Sequence, residues 1–145
     1  MSDELKDYVR LWLDKASNDL KNAEIILMAQ VESPPLDTVC FHCQQGAGKF
    51  IKAFLVYQGK QFPFSHNLAD LVAICIQVDE AFASIQRKAE MLTPFAVEIR
   101  YPDDFYTPTV AEANEAYAIA TEIRDFILAR LDDDFGHQHD MDDAV

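Results

Sequence analysis

Apolar residues recur at three- and four-residue steps from the start of the chain. Leu5, Tyr8, Val9, Trp12, Ala16, Leu20, Ala23 and Leu27 form one stripe of a 3.6-residue period, which predicts a helix over residues 3–30. Glu32-Ser33-Pro34-Pro35 ends it, because proline cannot continue the helical hydrogen-bond ladder. A second helix is expected over 36–58, stopping at Gly59 as a left-handed cap, with a loop over 60–65 that contains Pro63. Ser65 or Asn67 then opens a third helix ending near Asp79, and a fourth runs over 79–91 until Thr93-Pro94 closes it. Residues 95–106, with Pro102 and adjacent Asp103 and Asp104, read as irregular. The last helix starts either at Thr107, with Pro108 as first helical residue, or at Thr109, with Glu112 completing a capping box. Its stripe is Val110, Ala113, Tyr117, Ala120, Ile127 and Leu131, with Ile123 beside it.

No segment alternates as a strand would, and no internal repeat is visible. Long amphipathic helices joined mostly by short connections pack best as antiparallel neighbours. The expected fold is therefore all-α: an antiparallel up-and-down bundle of four to five helices. Composition agrees, since half of the 145 residues are apolar and only four are glycine. That is one domain's worth of chain, placed at 1–131. From Asp132 onward the sequence is Asp-rich and poor in apolar residues, so 132–145 is expected to be a disordered acidic tail. Tyr8, Trp12, Phe50, Phe54 and Phe126 are expected in the core rather than as a platform for bases.

Charge narrows the functional classes. The net charge is −13, and Asp132, Asp133, Asp134, Asp140, Asp142 and Asp143 leave about −7 on the body. Coating of duplex DNA needs a basic face that displaces counterions, and this chain does not supply one. A local basic pocket remains compatible. No apolar run approaches a membrane span, and the opening MSDELKDYVR resembles neither a secretory signal nor a transit peptide, so a cytoplasmic location is expected.

The second helix carries the clearest candidate chemistry. At about 100° per residue from His42, Val39, Cys40, Cys43, Ala47, Phe50, Ile51, Phe54 and Leu55 fall between about 60° and 220° and form the core face. His42, Gln45, Lys49 and Lys52 cluster within about 80° on another face. This stripe is either the solvated side of the helix or a surface for a ligand or second subunit. In the latter case lysines take phosphate charge, and His and Gln orient the ligand. Gly46 and Gly48 lie at the borders, where a missing side chain permits close approach of a helix or ligand. Cys40, His42 and Cys43 have a metal-like spacing, but a helix turns the thiols to the core and the imidazole away, so no metal site is expected.

Four strings in order carry a family resemblance: Trp12, Ala16, Asp19, Leu20 and Ala23 in the first helix, then FHCQQGAGKFIKAFLVYQG, PFSHNLADL (with His66), and LTPFAVEIRYPDD. Together they resemble the HEPN family across residues 5–131. The resemblance implies a helical bundle that commonly forms homodimers. Such proteins are often encoded with a small nucleotidyltransferase in a toxin–antitoxin-like pair, and some bind nucleotides. Many others are ribonucleases, with an Arg followed four to six residues later by a His and the motifs of two subunits forming one site. Arg100-Tyr101-Pro102 matches the Arg, but Asp104, Phe105 and Tyr106 occupy the places where the His is expected. RNA cleavage needs a group that moves a proton near neutral pH, and imidazole suits this far better than an exposed carboxylate or a phenol. A second departure is Gly48, where many relatives have Glu.

The expectation is therefore a binding or partner module without autonomous catalysis, with a nucleotide as ligand and no other cofactor. Its ligand-binding residues would be His42, Gln45, Lys49, Lys52, Arg100 and Tyr101, and its partners a second copy, a nucleotidyltransferase or RNA. Two alternatives stay open: a divergent ribonuclease toxin using Arg100 with Asp104 or Tyr106, and an adaptor that binds protein alone. Arg100 also has a structural reading, as a bidentate partner of Asp19.

Overall fold

The computed structural model describes residues 2–65, 67–96, 107–131 and 135. Five helices make up the described body: α1 (Asp3–Met28), α2 (Leu36–Tyr57), α3 (Leu68–Val78), α4 (Ala83–Leu92) and α5 (Val110–Leu128). Short 3-10 turns, Glu80–Phe82 and Thr93–Phe95, flank α4, and the described residues contain no strand. The all-α bundle expected from periodicity is the fold observed. No described helix is long and apolar enough to cross a membrane.

Local chemistry sets the helix ends. Ser2 caps α1 by accepting from Leu5 N–H. Gly59 adopts φ 68°, and the amides of Gly59 and Lys60 return to the carbonyls of Val56 and Leu55, closing α2 in a Schellman motif. Of the two candidate starts for α3, Asn67 is the cap, accepting from Ala69 N–H. Thr109 rather than Thr107 caps α5, through a reciprocal box with Glu112. Asp79 accepts from Ala81 N–H, stopping α3 and starting the turn into α4, which explains why the fourth helix begins later than periodicity suggested.

Helix α2 is the centre. It packs most extensively on α1 and next on α5, and its buried face includes Val39, Cys40, Cys43, Ala47, Phe50, Ile51 and Phe54. Contacts fix the directions. Trp12 lies near Lys52 and Asp19 near His42, so α1 and α2 are antiparallel. Lys88 meets Glu122, and Leu92 shares a cleft with Ala116, so α4 and α5 are antiparallel too. Alternation gives way at the α2–α3 connection. Leu68 lies against Gly48 while Phe82 stacks on Phe54, so the chain returns along α2 and α3 runs in the same sense as it.

Two residues assigned to buried stripes are exposed. Val110 is 59% exposed because it opens the first turn of α5, ahead of the helices that cover the rest. Tyr8 is 49% exposed with its ring edge-on to Trp12, and Val9, fully buried, takes the core position on that turn. Apolar packing also extends past Leu131: Phe135 is buried, its ring edge-on to Tyr57 and under the Arg10 guanidinium.

Candidate functional site

The polar stripe of α2 is neither fully wet nor idle. Asp19, on the buried side of α1, reaches across to it and accepts twice. Lys49 Nζ donates to Oδ2 at 2.7 Å, and His42 Nδ1 lies 3.0 Å from Oδ1. His42 and Lys49 are seven residues apart, two turns of one helix, so a single carboxylate can bridge them. Asp19 is 8% exposed, and the lysine and imidazole beside it are half-buried. A carboxylate at this depth needs such partners, because an unpaired buried charge is costly. Gly46 makes the approach possible: a Cβ there would sit 2.9 Å from Leu20 Cδ2 and 3.2 Å from the Ala16 carbonyl oxygen.

One turn further along, Lys52 points its ammonium between two rings, 5.7 Å from the Trp12 centroid and 5.9 Å from that of Phe64. Among the described residues no carboxylate pairs with Lys52. Burial, then the neighbouring charge of Lys49, pulls its pKa below the ordinary lysine value. Both lysines line a cleft of about 110 Å³ with Gln44, Gln45, Gly48, Phe64, Ser65 and Leu68. Gln45 Nε2 donates to Gln44 Oε1 at 2.8 Å, and Gln44 is buried, so Gln45 is held in orientation. Gly48 lies at the cleft beside α3, where a Cβ would sit 3.1 Å from Leu68 Cδ2 and make that side chain give by a few tenths of an ångström.

The structure thus brings together Gln45, Lys49 and Lys52 at one cleft, with His42 joined to them through Asp19. Arg100, Tyr101, Asp104, Tyr106 and His66 lie outside the described residues, as do His137 and His139. Sequence reasoning missed Asp19 as the hub, Gln44 as support, and Phe64 and Ser65 as wall. Two of these carried a signal. Asp19 is a carboxylate on the apolar stripe of α1, and Gln44 falls at about 200° within the core arc of α2. Phe64 sits in a connection with no periodicity to mark it.

Cys40 and Cys43 are buried, as the helical register requires, and His42 turns away from them to Asp19. Burial pushes their thiols up to about 11 and about 12, so neither is a ready nucleophile. Cys75 is likewise buried and pushed up to about 12.

Comparison with known proteins agrees with this architecture. The model of the HEPN domain matches residues 9–131. Among solved structures, TT1696 from Thermus thermophilus is 26% identical, with a TM-score of 0.69 over 85% of this chain and 98% of that one. ST0689, described as an archaeal HEPN homologue, is 25% identical, with a TM-score of 0.66 over 84% of this chain and 96% of its own. No match was found among curated proteins. A family model spanning α1 to the end of α5, and two structures superimposing over most of the bundle, make this chain a member of the HEPN domain family.

Proposed function

We propose that this HEPN domain is a binding module that takes a nucleotide or RNA by phosphate at the Lys49–Lys52 cleft, without catalysis of its own. One observation carries the reading. Lys52 is a half-buried cation beside a second cation, and no described carboxylate neutralises it. Taking charge from water without an opposite charge is unfavourable, and an incoming anion relieves it. Lys49 is held in place by Asp19, and Gln45 offers an oriented amide at the same rim. The cleft, at about 110 Å³, is far smaller than the roughly 300–1,000 Å³ that enclose a drug-sized ligand. It suits one phosphate group and leaves the rest of the ligand outside.

The departure from the ribonuclease motif supports binding over cleavage, because Asp104 and Tyr106 stand where a histidine would move the proton. Homodimer formation and service to a small nucleotidyltransferase belong to the same proposal. The exposed apolar side chains of Leu11, Ile25 and Met28 on α1 support a contact surface.

Calorimetry with ATP, GTP and short RNA tests the binding. The expected result is heat with at least one ligand and its loss in Lys52→Met. No heat with any of the three removes the proposal. Labelled RNA cut by the purified protein, and spared by Arg100→Ala, would replace binding with ribonuclease activity.

A further inference from the structure

Building on that anion site, we propose that the cleft is one half of a subsite for an unpaired nucleotide of a single-stranded nucleic acid, and that Phe64 is the residue on which its base stacks. Phe64 is 98% exposed, although it stands at the wall of a cleft lined by two lysines. An aromatic ring left almost wholly in water forgoes roughly 1.5–3 kcal/mol of burial, and a flat π-face is what every nucleobase can cover. The Lys52 ammonium is 5.9 Å from that ring's centroid. A phosphate at the ammonium and a base over the ring are therefore within reach of one nucleotide, whose two ends are joined by a single sugar. The base has no enclosed slot and would lie on the surface, so recognition tolerates base identity.

Charge selects the strand over the free triphosphate. Asp19 already offsets Lys49 at 2.7 Å, which leaves Lys52 as the uncompensated cation of the described cleft. One uncompensated charge matches one phosphodiester. A nucleoside triphosphate brings several negative charges to a chain whose net charge is −13, with no further described cation in the cleft to receive them. A duplex hides its bases and presents two dense phosphate rows, so it gains nothing from Phe64 and meets the same repulsion.

Trp12 makes the test direct, since it is the single tryptophan of the chain and its ring lies 5.7 Å from Lys52 Nζ. Its fluorescence would follow titrations at low salt with inorganic phosphate, ATP, a blunt duplex, and tetra-adenylate as RNA and as DNA. Tetra-adenylate in at least one sugar form should bind more tightly than ATP or duplex. Phe64→Ala should weaken it about 5- to 150-fold, the range of one lost base stack and a larger loss than inorganic phosphate suffers, while Phe64→Tyr retains tight binding. If Phe64→Ala leaves tetra-adenylate affinity unchanged while phosphate still binds, the stacking subsite is wrong and the anion cleft stands. ATP binding more tightly than tetra-adenylate overturns the single-strand assignment. If no probe binds, both readings fall together.

Discussion

Of the described clusters that place a cation against aromatic rings, those of Arg130 and Lys52 treat the charge in opposite ways. At one end, Arg130 stacks on Phe126 at 3.5 Å and faces Phe82 at 5.8 Å. It also donates from Nε to Asp79 at 3.1 Å and from Nη1 to the Phe126 carbonyl at 3.2 Å. Its planar group is used on its face and along its edge, and its charge is met by a carboxylate. On α2, Lys52 has rings on two sides but no described carboxylate, and one of its rings is almost wholly exposed. The first cluster clamps the α3–α4 turn to the end of α5. The second is open to solvent. Proximity of a cation to aromatic rings does not reveal purpose; whether its charge is already satisfied does.

A substitution should cost most at the closed cluster. Phe82 is fully buried against Phe54, Phe126 and Arg130. Phe82→Ala should cost about 3–5 kcal/mol in denaturant unfolding, by lost burial plus the cavity left behind. A loss below about 1 kcal/mol would mean that the turn collapses to fill the space.

Between the two extremes stands Asp19. Asp19→Ala removes the shared acceptor of His42 and Lys49 and should destabilise by about 2 kcal/mol. This is less than the roughly 3–5 kcal/mol of a fully buried pair, because both partners keep some access to water. It should also leave the cleft more cationic, so phosphate affinity should rise while thermal stability falls. A drop in both would show that Asp19 matters by positioning Lys49 more than by offsetting it.

The smallest effect on stability belongs to Lys52. Lys52→Met keeps the stem, removes a poorly solvated charge and should shift unfolding by no more than about 0.5 kcal/mol, while anion binding is lost. Because burial lowers the Lys52 pKa, its charge is lost as pH rises at values below the ordinary 10.5, and ligand affinity should decline there ahead of any unmodified lysine. Affinity flat across that range would place the anion elsewhere.

Much of this was legible in one dimension. The 3.6-residue stripes located the helices, and Gly59, Asn67 and Thr109 marked ends that the capping hydrogen bonds now account for. The grouping of Gln45, Lys49 and Lys52 followed from helical angles alone, since side chains three and four apart share a face. Val110 and Tyr8 misled for a common reason: periodicity reports which side of a helix is apolar, but not whether a neighbour covers that stretch of it.

The open lysine cluster shows where the boundary lies. That α2 has a polar stripe beside a core face was readable from residue order, because residue type and helical geometry are local properties. The partner of that stripe was a tertiary matter. Asp19 is 30 positions from Lys49, and only the antiparallel packing of α1 on α2, allowed by Gly46, sets one carboxylate between His42 and Lys49. Likewise the return of the chain after Gly59 brings Phe64 to within 5.9 Å of Lys52. Loop paths depend on what the whole bundle leaves room for, so neither the neutralised lysine nor the open one could be told apart before the helices were packed.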